Sequence, residues 1–146
     1  VQQIISETGT DMSKFPTVKH FTSWLTLAPH NDISGGKVLS SKTQKSKNRA
    51  AQAFRMAAQS VSRSNSAQGA FYRRMRVKHG GGAKATTATA HKIARIFYFM
   101  LKHQQEYKDP GQAYYEQKYQ ERTVKNLKRK AKALGMELIP IQGVSR

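Results

Sequence analysis

Short apolar clusters at helical spacing alternate along this chain with polar stretches rich in Gly, Ser and Lys, a pattern that predicts an all-α fold of several short helices. Val1–Thr8 reads as the end of an apolar helix or strand, closed by Gly9-Thr10-Asp11. Val18, Phe21, Trp24 and Leu25 then follow the i, i+3, i+6/7 spacing of one buried helix face. Pro16 suits the first turn of that helix, and Ala28-Pro29 forces its exit. Phe21 and Trp24 are expected in the core rather than as platforms for stacked bases.

From Asn31 to Asn48 apolar residues nearly vanish, which predicts a loop with room for a short hairpin, ordered on binding a partner. Helical spacing resumes with Ala50, Phe54, Ala57, Ala58 and Val61 on one stripe and Arg49, Arg55 and Arg63 off it. Asn65 or Ser66 can cap the next helix, which runs through Phe71, Tyr72 and Met75 to Gly80-Gly81-Gly82. A longer helix is predicted from about Ala83 to His103, with Ile93, Phe97, Met100 and Leu101 inward and His91, Arg95 and Lys102 on a basic outer side. Asp109-Pro110-Gly111 breaks the chain. Tyr115 to Leu134 then reads as a last helix, with Tyr119, Leu127, Ala131 and Leu134 as its apolar side and Lys118, Arg122, Lys125, Arg129 and Lys132 as a basic stripe. That stripe is either a solvated face or a second phosphate-binding face. Met136 to Ile141 reads as a short strand or a tail. The expected organisation is a helical domain over residues 1–105, with a basic Gly/Ser-containing loop at 30–47 after the first full helix, and a basic C-terminal helix and tail over 106–146.

Composition narrows the partner. A length of 146 residues and a hydrophobic share of 38% allow one domain with a small core. The 26 Lys+Arg against 8 Asp+Glu give a formal net charge of +18. Such a charge favours a polyanion, nucleic acid ahead of an acidic substrate or a membrane surface. The absence of cysteine removes disulfides, thiolate zinc sites and a cysteine nucleophile together. No stretch approaches the roughly 18 apolar residues of a membrane span, and the N-terminus lacks the plan of a signal peptide. The chain starts on Val1 rather than Met, so it is expected to begin inside a longer protein.

The charge is unevenly placed. Residues 1–36 carry Lys14 and Lys19 against Glu7, Asp11 and Asp32, whereas residues 37–105 hold 15 Lys+Arg and no acid. That block is the expected docking surface for phosphates, with Lys37, Lys42, Lys45, Lys47, Arg49, Arg55, Arg73, Arg74 and Arg95 as candidate nucleic-acid contacts. The acids, confined to the two ends, do not fall at spacings that would converge on a hard cation, and the five histidines show no HxxxH or HxH pattern. No metal ligand is assigned. For nucleophilic chemistry a hydroxyl remains: Ser34 stands before Gly35-Gly36-Lys37, where backbone N–H groups and an ammonium can hold a phosphate. On spacing alone Ser-Gly-Gly is an ordinary turn.

Longer runs change that balance. Glu7-Thr8-Gly9 through Ser13-Lys14-Phe15, then Phe21-Thr22-Ser23-Trp24-Leu25-Thr26-Leu27-Ala28-Pro29, then Ser34-Gly35-Gly36-Lys37 together resemble the C-terminal domain of the insertion sequence 110/116/902 family of transposases. In that family a helix ends in a glycine-leucine-x-proline turn, and a Ser-Gly motif follows five residues after the proline. Ser34 stands five after Pro29. Asn48 to Ala58 is similar to the family's glycine-asparagine-x-x-leucine-arginine helix, with Lys47 in place of the glycine, and Ala70–Met75 and Ala90–Tyr98 are similar to later helices. The resemblance covers roughly residues 4–103.

The resemblance implies a prokaryotic, nucleoid-associated cytoplasmic DNA recombinase of mobile elements in which Ser34 attacks a phosphodiester and forms a phosphoserine link. It further implies a separate resolvase-like domain that supplies carboxylates and Mg2+, a structured guide RNA from the element, and a homo-oligomeric full-length protein, with no membrane role. No cofactor is expected on this chain itself, which should be inactive alone. The alternative from another class is a non-catalytic basic nucleic-acid-binding module in which Ser34 is a turn residue. An autonomous magnesium-dependent nuclease is a third class that the scattered acids argue against.

Overall fold

Three of the helices begin where a polar side chain, of Thr17, Asn48 or Ser66, accepts from one of their first N–H groups. The computed structural model describes residues 1–143. The elements in chain order are α1 (Gln2–Thr8), α2 (Val18–Trp24), β1 (Asp32–Ser34), β2 (Lys37–Ser40), α3 (Arg49–Val61), α4 (Ala67–His79), α5 (Gly82–His103) and α6 (Gly111–Ala133). The fold is all-α apart from the antiparallel pair β1–β2. Thr17 caps α2, so Pro16 lies before the cap rather than in the first turn as expected. Asn48 caps α3, and Ser66, not Asn65, caps α4 by accepting from the Gly69 N–H at 3.0 Å. Gly80 ends α4 in the left-handed conformation, with φ 65°. The stretch read as a strand or tail beyond Met136 forms no strand among the described residues, and the last three residues of the predicted 106–146 segment lie outside them.

The main core joins α1, α2, α3 and α5. Phe21 sits at its centre, with Phe15 edge-on at 5.0 Å, Tyr98 at 5.7 Å and Phe54 and Phe97 each at 6.3 Å between ring centroids. Ala50, Ala51 and Ala58 of α3 and Ala90 and Ala94 of α5 are fully buried, and their small side chains let these two helices approach closely. Trp24, expected in the core, is 42% exposed. It lies on the rim, tilted against Phe15 at 5.4 Å. On α5 the predicted inward residues Ile93, Phe97 and Leu101 are half-buried against the core, but the deepest line runs one step round the helix through Ala90, Ala94 and Tyr98. Alanines carry little periodic signal, and Tyr98 is buried because its hydroxyl donates to the Phe15 carbonyl at 2.9 Å.

A second, smaller cluster of Ala67, Ala70, Phe71 and Tyr115 ties α6 to α4. Tyr115 is the one buried residue of α6 among those described. The apolar side predicted for that helix is therefore wrong in consequence: Leu127 and Leu134 stay 47% and 74% exposed, because α6 runs past the end of the surface that could cover them. Two turns fix the remaining geometry. At the α3–α4 corner, a Cβ on Gly69 would meet the Ser64 carbonyl and come within 2.6 Å of the Val61 carbonyl. At the end of α2, the Leu27 N–H bonds the Thr22 carbonyl at 3.1 Å and the Thr26 N–H the Ser23 carbonyl at 2.9 Å, a Schellman ending. Its left-handed residue is Thr26, with φ 57°, a conformation that strains a β-branched side chain.

Two stability outcomes follow from these turns. Thr26→Gly should raise stability by about 0.5–1 kcal/mol, the relief of left-handed strain exceeding the entropy that glycine adds to the unfolded chain. Gly69→Ala should lower it by roughly 2 kcal/mol, since backbone carbonyls rather than flexible side chains must give way. Urea unfolding of both variants measures each effect directly.

Candidate serine hairpin and nucleic-acid interface

The serine loop is a hairpin. Gly35 and Gly36 take φ values of 55° and 76°, as a two-residue type I′ turn requires at both central positions. Space is not the reason for glycine there, because nothing lies within 4 Å of a Cβ at either position. Cross-strand pairing sets Ser34 opposite Lys37 and Ile33 opposite Val38, with a bulge between Asp32 and Ile33 that puts Asp32 opposite Ser40. Directly opposed residues share a face of the ribbon, with Cβ atoms about 5 Å apart. The Ser34 hydroxyl and the Lys37 stem therefore leave the tip on the same side. Both residues are exposed. Ile33, Val38 and Leu39 are also 64%, 56% and 70% exposed, so the hairpin stands away from the helical core.

Its base is held firmly. Leu25 and Leu27 before it are buried, and the His30 N–H bonds the Lys42 carbonyl at 3.0 Å. Asn48 closes the loop with both ends of one amide: its Oδ1 accepts from the Ala51 N–H at 3.1 Å to cap α3, while its Nδ2 donates to the Trp24 carbonyl at 3.2 Å. Sequence reasoning placed the start of the helix here but found neither bond, and the second exists only through the spatial meeting of α2 and α3. His30 Nε2 and Asp32 Oδ1 lie 3.9 Å apart on the exposed base of the hairpin. Among the described residues no three His, Asp or Glu side chains gather, and the residues around Ser34 do not fit a magnesium ion.

The candidate cations separate into two groups. Lys37, Lys42, Lys45 and Lys47 are exposed along the hairpin and the segment after it, and Arg49 follows at the start of α3, 77% exposed and 3.9 Å from Glu7. A surface pair of that kind contributes little and leaves the guanidinium available. Arg95 is exposed on α5, while Arg55 is half-buried on α3. Lys102, expected beside Arg95, is exposed and donates to the Tyr98 hydroxyl at 3.2 Å.

Arg73 and Arg74 instead hold the bundle. Arg73 donates to the Ser62 and Ser64 carbonyls, each at 2.9 Å, and to Gln112 Oε1 at 2.8 Å. It thus satisfies the carbonyl end of α3 and tethers α6 at once. Arg74 lies over the Tyr119 ring, 3.2 Å from its centroid. Lys92, which sequence reasoning did not single out, sits 4.4 Å from the Phe71 centroid and 5.0 Å from that of Tyr115. Burial, followed by the nearby Arg122, lowers the Lys92 pKa against the opposing pull of Asp109. Burial and then Arg95 likewise hold the His91 imidazole below its usual value. A hollow of about 500 Å³ between α4 and α6 is lined by Arg73, Arg74, Met75 and Tyr119 among others and shares no residue with the hairpin.

The double role of Asn48 gives a clean separation. Asn48→Asp keeps the acceptor that caps α3 and loses the donor to Trp24, so it should preserve stability to within about 0.5 kcal/mol while loosening the loop. Asn48→Ala loses both and should cost about 1 kcal/mol or more. Thermal melts read the first quantity, and amide exchange at residues 25–47 reads the second.

The N-terminal half of the chain also matches a known family. Residues 1–73 match the model of the Transposase IS116/IS110/IS902 family, from α1 into α4, and so include the hairpin and Asn48 but not α5 or α6. No curated protein and no solved structure matches the chain. Among the described residues no helix is long and apolar enough to cross a membrane. With the model matched over half of its length and the Ser-Gly hairpin standing in the matched part, this chain belongs to the IS116/IS110/IS902 family of transposases.

Proposed function

We propose that this chain is the serine-bearing, DNA-binding part of a transposase, with Ser34 as the nucleophile. The observation that carries the reading is the pairing of Ser34 with Lys37 across an exposed glycine turn. A phosphodiester laid on that face meets a hydroxyl, an ammonium and the backbone N–H groups of a nest-like turn. The projecting tip lets the backbone of a duplex approach without collision with the helices. Membership of a transposase family supports DNA transposition as the process and DNA as the partner.

In the proposed step the Ser34 Oγ loses its proton to solvent, forms the O–P bond, and displaces the neighbouring sugar oxygen, which takes up a proton. The bond count is conserved, so the phosphoserine link stores the phosphodiester for a later attack by another strand's hydroxyl. Lys37 balances charge on the phosphoryl oxygens as it develops. Lys42, Lys45, Lys47 and Arg49 hold flanking phosphates, and Arg55 and Arg95 extend that surface. Arg73 and Arg74 act through the fold, since their guanidinium groups are engaged within it. The likeness to the family extends the proposal to a structured guide RNA, a homo-oligomer and a separate carboxylate-bearing domain for magnesium.

In the full-length transposase, Ser34→Ala should abolish strand transfer, at least a 10³-fold loss on the scale of removed nucleophiles, and leave DNA affinity within about threefold. Retained strand transfer would return Ser34 to an ordinary turn residue and favour a plain nucleic-acid-binding module.

A further inference from the structure

Helix α6 leaves the bundle carrying a charge that nothing in the fold requires. Its first turns are anchored: the Asp109 carboxylate accepts from the Ala67 N–H at 3.1 Å, the Gln112 N–H bonds the Asn65 carbonyl at 3.1 Å, Lys92 lies on Tyr115, and Arg74 lies on Tyr119. Beyond Tyr115 no described residue of the helix is buried. From Arg122 to Ala133 there are six Lys+Arg and no acid, all six of them exposed. Like charges at these spacings weaken an isolated helix. The anchored start fixes the direction of this basic arm.

We infer that the free half of α6 is a second DNA-binding surface, a helical arm that enters the major groove of duplex DNA and places Arg122, Lys125, Arg129 and Lys132 on backbone phosphates. These four share one face over about 15 Å of helix. Lys128 and Lys130 flank that face on either side, which suits a groove with a phosphate wall at each edge. Lys118 is excluded from the set because it is engaged with Glu121 at 3.0 Å. A helix about 10–12 Å across matches the major groove of B-form DNA, roughly 12 Å wide, whereas the deep, narrow major groove of A-form RNA does not admit it. The opposite side of the arm offers only Val124, Leu127 and Leu134 as large apolar groups, without the aromatic residues that seat a helix in a lipid interface. The arm lies outside the residues matched by the family model and stands independently of any role for Ser34.

The test compares the intact chain with the triple variant Lys125→Gln, Arg129→Gln, Lys132→Gln, binding a duplex DNA of about three helical turns by fluorescence anisotropy at several salt concentrations. A charge-matched triple, Lys14→Gln, Lys19→Gln, Lys108→Gln, controls for net charge. The arm variant should weaken binding at least tenfold more than the control and reduce the slope of log Kd against log salt by about 2–3. The arm residues are exposed, so circular dichroism should be unchanged, and the single Arg129→Gln should shift the slope by about 1. A loss no larger than that of the control would overturn the inference. So would an equal loss on duplex RNA, or unchanged DNA binding accompanied by lost binding to phosphatidylserine vesicles.

Discussion

Phe21 lies where α2, α3 and α5 meet, and the position of the serine hairpin depends on that packing. Its ring contacts Phe15, Phe54, Phe97 and Tyr98, so one side chain joins the start of the chain to two helices distant in sequence. Truncation of a buried phenylalanine costs about 3–5 kcal/mol, a large share of the stability of a domain this size. The alanines of α3 and α5 serve the same joint by letting the helices approach closely enough for the rings to meet. Once α2 is fixed, its Schellman ending directs Leu27 inward and Pro29 outward, and Asn48 ties the end of α2 to the start of α3. The hairpin between these two anchors is presented rather than packed.

The second constraint is charge. With 26 bases and 8 acids, the fold cannot neutralise itself through ion pairs, and the structure instead uses part of the basic block as structural material. Arg73 closes the carbonyl end of α3, while Arg74 and Lys92 lie on the rings of Tyr119 and Tyr115 and fasten α6. These cations bind π faces and carbonyls rather than forming ion pairs with carboxylates. Many of the remaining cations stand exposed, among them those of the hairpin, the start of α3, Arg95 on α5 and the free end of α6, the surfaces on which the proposed phosphate contacts rest.

Much of this was legible in the sequence where a signal is local. The helix start at Asn48, the cap at Asn65 or Ser66, the glycine stop at Gly80, the break at Asp109-Pro110-Gly111 and the room for a short hairpin in the loop all depend on residues within a few positions of one another. What escaped depends on tertiary meetings. Tyr98 looks amphipathic in isolation and becomes core because the Phe15 carbonyl waits for its hydroxyl. Trp24 looks like core and becomes rim, since Phe21 already fills the centre. Leu127 and Leu134 have the spacing of a buried stripe, yet no surface of the chain reaches them. At the candidate site, Ser34 and Lys37 were visible as neighbours in sequence, but their opposition on one face follows from the register. The use of Arg73 and Arg74 inside the fold has no sequence signature at all, because an arginine reads the same whether it faces a phosphate or a carbonyl.

The central claim is that a single exposed hydroxyl at the tip of this hairpin becomes covalently joined to DNA. The most direct measurement is to incubate the full-length transposase with its DNA, stop the reaction by denaturation, digest with protease and nuclease, and locate any nucleotide-bearing peptide by mass spectrometry. The account predicts a phosphate-linked nucleotide on the peptide containing Ser34, absent when Ser34 is alanine. An adduct mapped to another residue, or strand-transfer product formed with no protein-linked intermediate under conditions that trap one, would contradict it.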